Sequence, residues 1–363
     1  MFRVEMLPAG HGDCLWIEYG SEESPFRLLI DGGTAGTYSR LKRRMDQVLD
    51  EILSFELLVV THIDGDHIAG VLKLLEDETS DFNIDDIWFN GYHHLPESGL
   101  DILGIEQAES LTEHIRDKNL AWNKLFSNNA VALNETNVLP EKTLPGGMKL
   151  TVLSPSVDKL GKLKPKWREF VIAAGLDPNN PHEEEEDLDT RPSGLEPLGV
   201  FQLPDVDALA DTPFEEDPSE ANGTSIVLLA EYNGHSILLC GDGHADIINT
   251  SLEKLANRRG IDVFPLDAIK LPHHGSKVNV STDLLKKIDC HHYLVSSNGA
   301  YYQHPDEIAI ARIIKYGGPN PRIYFNYHSK FNKIWSNPTL RNDYGYSVDY
   351  PMNTDDSLVL NLE

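Results

Sequence analysis

A chain of 363 residues has room for one large α/β domain or two modest ones, so core size sets no limit. Hydrophobic residues make up an ordinary 40%, but the formal net charge of -27 repels polyanions at long range and counts against non-specific nucleic-acid binding. The first residues lack the apolar core of a signal peptide, and no apolar run approaches the ~20 residues of a membrane helix. Cys14, Cys240 and Cys290 are too few and too scattered for a disulfide framework, so the expected setting is cytoplasmic, with no membrane and reduced, buried thiols.

In chain order, Leu15 to Tyr19 and Phe26 to Ile30 read as strands, the second ending in Asp31-Gly32-Gly33. Residues 40–54 have helical spacing, with Leu41, Met45, Val48, Leu49 and Ile52 on one side. Leu57 to Val60 reads as a buried strand running into Thr61-His62-Ile63-Asp64-Gly65-Asp66-His67, with a helix over 68–76 and a strand from Ile84 to Phe89. Residues 100–130 read as helical, and Lys149 to Leu153 as a strand that stops at Ser154-Pro155. Residues 156–221 contain many prolines, little apolar periodicity and the acid run Glu183 to Asp187, so they read as an acidic insertion or mobile loop within a single domain spanning 1–363. The acid run itself has the composition of a solvated face.

Ser225 to Glu231 and Ser236 to Cys240, joined by Asn233-Gly234, carry a hairpin signal that ends at Gly241-Asp242-Gly243. A helix is expected over 245–258. The strand Ala268 to Leu271 leads into Pro272-His273-His274-Gly275-Ser276, and Tyr293 to Ser297 leads into Asn298-Gly299 and His304-Pro305. Arg322 to Tyr327 and Leu358 to Leu362 close the chain as strands. Alternating strands and helices indicate an α/β protein.

Four potential ligands, His62, Asp64, Asp66 and His67, fall within six residues directly after a buried strand. Imidazole and carboxylate together suit Zn²⁺, Mn²⁺ or Fe²⁺, and the lack of thiolates argues against a structural zinc site. Asp31, Asp242 and His273-His274 also follow strands. Singly, each is more often a turn residue or helix cap; four such places in one chain are hard to explain as caps.

Asp-Gly-Gly, His-x-Asp-x-Asp-His, Gly-Asp and His-His-Gly-Ser, in that order, resemble the metallo-β-lactamase superfamily, and more narrowly the hydrolase domain of ComEC-type DNA-uptake proteins and their stand-alone relatives. Gly10-His11-Gly12-Asp13, Leu153-Ser154-Pro155, Asn222-Gly223-Thr224-Ser225, Ser296, Asn298 and His304-Pro305 extend the match over roughly residues 8–305. The resemblance implies a four-layer αββα sandwich with two divalent ions, Zn or Mn, at one edge of its sheets. His62 and Asp64 would hold one ion; Asp66, His67 and one of His273 or His274 would hold the other, with Asp242 bridging. Asp31, with Asn222, Ser225 and Ser276, would support those ligands from behind.

Two departures from the usual pattern stand out. Asp64 replaces a histidine, and the histidine commonly found between the first motif and the bridging aspartate is missing; competence-type relatives share both changes. The expected chemistry is hydrolysis by a hydroxide activated between two metals, with Asp66 taking a proton and His11, His274 or His304 serving the leaving group. A phosphodiester is the expected substrate, either nucleic acid or a small molecule, with Lys277 and Asn298 as contacts. Lys270, Lys277, Lys286 and Lys287 surround the His-His-Gly-Ser segment, and all four read equally well as solvated surface residues. Two other readings are hydrolysis of a carboxylic ester, lactone, thioester or amide, and a metal-stabilised subunit with a protein partner.

Overall fold

The computed structural model describes residues 1–50, 52–96, 109–134, 138–176 and 203–362. The N-terminal part supplies strands β1 (Phe2–Met6), β2 (Leu15–Gly20), β3 (Pro25–Ile30), β4 (Leu53–Phe55), β5 (Leu57–Val59), β6 (Phe82–Ile84) and β7 (Ile87–Trp88), with helices α1 (Tyr38–Asp46), α2 (Gly65–Glu76) and α3 (Ser110–Asp117). The next strands are β8 (Glu141–Thr143), β9 (Lys149–Ser154), β10 (Val227–Tyr232), β11 (His235–Leu239), β12 (Phe264–Lys270), β13 (Ile288–Val295), β14 (Arg322–Phe325), β15 (Ser347–Asp349) and β16 (Leu358–Asn361). Helices α4 (Val157–Leu163), α5 (Trp167–Ala173), α6 (Val206–Ala210), α7 (Ala245–Arg259), α8 (Thr282–Lys287), α9 (Glu307–Tyr316) and α10 (Pro338–Tyr344) lie among them.

One sheet runs β16-β1-β2-β3-β5-β7 and the other β15-β14-β13-β12-β11-β10-β9-β8. Alternation along the strands of the first sheet explains why it is covered on both sides. Leu15, Ile17, Tyr19, Leu28, Ile30, Leu57 and Val59 share a core with the second sheet, while Trp16, Leu29, Leu58 and Val60 join a second core with α1, α2 and α5. Residues from α7, α8 and α9 pack into the first core from the far side of the second sheet. The four-layer αββα arrangement expected from the sequence is therefore present. Within it, β3, β5 and β7 are parallel, as are β11 to β15, so their carboxyl ends gather the motif loops at one edge.

The hairpin falls where Asn233-Gly234 put it, with Tyr232 paired to His235 and positive φ at both turn residues (49° and 89°). Three expectations need correction. Helix α1 stops at Asp46, because the chain must turn back to pair β4 with β6; Leu49 and Ile52, expected on its buried face, are 98% and 51% exposed. The strand expected from Ile84 to Phe89 is split between two sheets, and the carboxylate of Asp86 at the break accepts hydrogen bonds from Lys124 N, Leu125 N and the Trp88 indole. Within 100–130 the described α-helix is confined to Ser110–Asp117, and 100–108 lie outside the described residues.

The flanks of the 156–221 segment are helical and packed. Leu160, Leu163, Trp167 and Val171 join the core with α2, and α6 packs on α9 through Val206 and Ala210. Its acid run, Glu183 to Asp187, lies outside the described residues. Cys14, Cys240 and Cys290 are buried and unpaired. Among the described residues no helix is long and apolar enough to cross a membrane.

Candidate metal centre

Close backbone packing creates the site before any side chain does. A Cβ on Gly12 would lie 1.7 Å from the carbonyl oxygen of Asp66, and one on Gly70 would lie 1.9 Å from that of Gly32. Only glycine lets the loop after β1 and the loop after β3 press against the first turns of α2. That turn carries Asp66 and His67, while Asp64 precedes it.

Asp31 stands behind His67. Its Oδ2 accepts from His67 Nδ1 at 2.8 Å and from the Thr61 hydroxyl at 2.8 Å, and its Oδ1 accepts from Thr61 N at 2.7 Å. With Nδ1 donating, the lone pair of His67 Nε2 points into the site. His274 is set the same way, donating from Nδ1 to Ser296 O at 2.8 Å.

Asp242 lies between two groups of ligand-type atoms. Its Oδ1 is 3.3 Å from His67 Nε2 and 3.7 Å from His274 Nε2; its Oδ2 is 3.9 Å from His62 Nε2 and 3.7 Å from His273 Nε2. Asp66 Oδ2 is 3.3 Å from His274 Nε2, and Asp64 Oδ2 is 3.5 Å from His62 Nε2. The structure thus brings together all seven of the residues singled out as ligands. His273 and His274 both turn inward, to opposite oxygens of Asp242.

The buried atoms His62 Nε2, His67 Nε2, His274 Nε2 and Asp242 Oδ1 make no hydrogen bond among the described residues. Buried polar atoms are normally paired, so converging orphans of this chemistry fit a divalent cation. The charges agree. Burial alone would lower the His274 pKa, but Asp242 and Asp13 push it up to about 10, and His67 is raised in the same sense by Asp242 and Asp66. Conversely, burial would raise the Asp242 carboxyl, yet the imidazoles hold it well below the ordinary range. Protons are held where a cation would otherwise sit.

Asp13 also lies near His67, Asp242 and His274, but it faces Nδ1 of His274 at 3.3 Å and pairs with Lys270. It therefore stands behind the imidazole, on the side away from Nε2. Lys270 is fully buried in that ion pair and also donates to Leu271 O at 3.0 Å, which corrects its reading as a surface lysine. Of the other lysines, Lys286 lies over the Tyr316 ring, Lys287 pairs with Glu253 at 2.9 Å, and Lys277 is exposed.

Ser225 Oγ accepts from Asp242 N at 3.2 Å, and Ser276 N closes the turn onto His273 O at 2.8 Å. The Asn298 side chain accepts from Ala300 N at 2.8 Å within its own turn. His11 stacks on Tyr301 (5.4 Å between centroids), and His304 lies 5.1 Å from the His273 ring. Burial, with His273 and His274 nearby, lowers His304 to about 3, so it is neutral at pH 7.

Sequence reasoning missed Asp217, Asn279 and the pair Tyr301-Tyr302. The tyrosines are 64% and 55% exposed at the mouth of the site. Burial, followed by Asp66 and Asp64, raises Tyr302 to about 12, which keeps its phenol protonated. For Asp31, replacement by Ala should weaken metal binding about 10–100-fold, because His67 loses its orientation. Titration of the metal-free variant with Mn²⁺ checks this, and unchanged affinity would remove Asp31 from the account.

A family model, the Metallo-beta-lactamase superfamily, matches residues 8–78, the stretch that carries Asp31 and His62 to His67. More particularly, 112 residues are 30% identical to ComE operon protein 3 of Bacillus subtilis (strain 168), a stretch that is 30% of this chain and only 13% of that protein. Among solved structures, the metallo-β-lactamase fold protein YhfI of Bacillus subtilis aligns over 99% of this chain and 100% of its own, at 10% identity and TM-score 0.40. Zn²⁺-bound PqqB of Methylobacterium extorquens aligns over 100% of both chains, at 13% identity and TM-score 0.39. Scores of this size carry no argument about activity.

Proposed function

We propose that this chain is a hydrolase that works with two divalent ions and cleaves a small phosphodiester. The observation that carries the reading is the position of Asp242, whose two oxygens face separate sets, His62, Asp64 and His273 on one side and Asp66, His67 and His274 on the other. Two ions held by these residues would supply Lewis acidity toward a phosphoryl oxygen and would lower the pKa of water.

The chain's own residues do the rest. Asp66, held ionised because the His67 and His274 imidazoles outweigh its burial, is the group to accept a proton from water. His304, held neutral at pH 7, has no imidazolium proton to give and is a weak acid toward a leaving group. His274 donates from Nδ1 to Ser296 O and turns Nε2 toward Asp66 and Asp242 among the ligand atoms, away from a leaving group. That leaves His11 and the protonated phenol of Tyr302 as the groups at the mouth suited to donate.

A polynucleotide substrate would call for a basic rim. Of the four lysines around His273-His274, three are engaged elsewhere, and the chain carries -27 overall. The mouth offers exposed tyrosines instead, which suit a substrate bearing a planar ring.

The test is metal analysis of purified protein together with Mn²⁺- and Zn²⁺-dependent hydrolysis of bis-p-nitrophenyl phosphate, with p-nitrophenyl acetate and single-stranded DNA in parallel. Bound metal with turnover of the small phosphodiester and little of the DNA is the expected result. Turnover of the acetate alone would move the assignment to carboxylic esters, and cleavage of DNA at comparable rates would make it a nuclease.

A further inference from the structure

His273 differs from the other candidate ligands in how it is held. It follows Pro272 in a turn where His273 and His274 have φ of 46° and 53°, a left-handed conformation that non-glycine residues adopt only when surroundings impose it. Its Nδ1 faces Asn279 Oδ1 at 2.9 Å, Asn222 Nδ2 at 3.3 Å and Asp217 Oδ2 at 3.4 Å.

Asp217 is the hub of this group. It is 8% exposed, and its Oδ2 accepts from Asn222 Nδ2 at 2.7 Å and Asn279 Nδ2 at 3.0 Å, while its Oδ1 accepts from Ser219 N at 2.9 Å. A carboxylate can only accept, so it forces both amides to present their NH₂ groups to it. With its NH₂ so committed, Asn279 must turn Oδ1 toward His273. A carbonyl oxygen there requires a proton on Nδ1, which leaves the Nε2 lone pair on the Asp242 side of the ring, 3.7 Å from Oδ2.

We propose that Asp217, from the far flank of the segment between residues 156 and 221, is a positioning residue: through Asn279 it fixes His273 as the Nδ1-protonated tautomer and so completes the ligand set of the ion beside His62 and Asp64. The inference rests on the two-ion reading. It also gives that flank a task. The flank replaces, by a carboxylate acting from behind, what the missing superfamily histidine would contribute directly.

Removing Asp217 takes from the Asn279 NH₂ its charged acceptor and leaves it only the longer contacts to Asp242 O (3.2 Å) and Gly243 O (3.4 Å), so the amide can turn its NH₂ toward Nδ1. That favours a proton on Nε2, which blocks coordination. In the full chain, Asp217→Asn should bind one Mn²⁺ about 10–100-fold more weakly while the other is retained. Asn279→Ala should do the same, and Asp246→Asn, an exposed neighbour, should behave as wild type. Independently of metal, ¹⁵N shifts of the labelled histidines, with His273 assigned by His273→Gln, should show His273 protonated at Nδ1 in wild type and at Nε2 in Asp217→Asn.

Unchanged Mn²⁺ binding and an unchanged His273 tautomer in both variants would overturn the proposal. Wild-type protein that takes up no metal would instead overturn the two-ion reading. The histidine shifts would then still decide the role of Asp217, and if Asp217→Asn does not fold, Asn279→Ala carries the same two readouts.

Discussion

Asp242→Ala should empty both halves of the site at once. Each oxygen of Asp242 faces a different pair of imidazoles, so truncation removes a ligand atom from each half and leaves His62, His67, His273 and His274 with no anion between them. Mutual repulsion of cations across the gap then goes uncompensated. Metal content by mass spectrometry should fall to background, and turnover of bis-p-nitrophenyl phosphate should drop roughly 10³-fold or more, the size of losing several kcal/mol of charge stabilisation. Retention of one ion with half the affinity loss would mean that Asp242 serves one side only. His62→Ala provides the contrast: it removes a ligand from the first half alone, so metal at the Asp66-His67-His274 half should survive.

Lys270→Met should be the most damaging change away from the ligands. Lys270 and Asp13 are both within 2% of complete burial, and they join the end of β12 to the loop after β1. Deleting the cation leaves a buried carboxylate without its lysine and with only the His274 ring beside it, which costs about 3–5 kcal/mol, whereas Lys270→Met combined with Asp13→Leu should recover much of the loss. Urea denaturation of the metal-free proteins measures this, and a single variant within 1 kcal/mol of wild type would sink the argument.

The pH dependence separates the two states of Asp13. Burial would raise its pKa, but Lys270 and then His274 hold it down to about 2, below the ordinary 3.8. A carboxyl depressed in the folded state contributes stability that is present above its unfolded pKa and lost as pH falls toward 2. In Lys270→Met the carboxyl loses the strongest of the influences that lower its pKa, so the pKa rises and the stability tied to its ionisation is reduced. The deficit of the variant should shrink in mild acid and grow toward neutral pH.

What the sequence revealed divides along the range of the interactions involved. His62, Asp64, Asp66 and His67 could be read as one cluster because a strand end and a helix start hold them within six residues. Asp31 and Asp242 were legible one at a time, as acids following strands. The choice between His273 and His274 was not legible. Their spacing says nothing of two successive left-handed residues that send both rings inward, to different oxygens of Asp242.

Asp217 was invisible for a different reason. It sits in Glu215-Glu216-Asp217-Pro218, where composition points to solvent, and only the fold carries it to His273. Lys270 was misread for the same cause, since its partner is 257 residues away. Strand β1 was missed although Phe2, Val4 and Met6 alternate with Arg3 and Glu5: the run is only five residues long, and its place between β2 and β16 is set by pairing with distant parts of the chain.

The loop after β1 is clasped from the other end of the chain. Gly10 N donates to the Tyr327 hydroxyl at 2.8 Å and Gly10 O accepts from Asn298 N at 2.9 Å; Gly12 O accepts from the Ser296 hydroxyl at 2.7 Å, and Leu7 O from Asn326 at 3.2 Å. During synthesis, residues 7–13 leave the ribosome some three hundred residues before the partners that hold them. Loop-closure entropy must be met before any of these bonds forms, so the last steps of folding are expected to be slow. A nascent chain can display His62 to His67 without owning a finished site. On the two-ion reading, metal capture is expected at the end of folding rather than at the appearance of the first ligands.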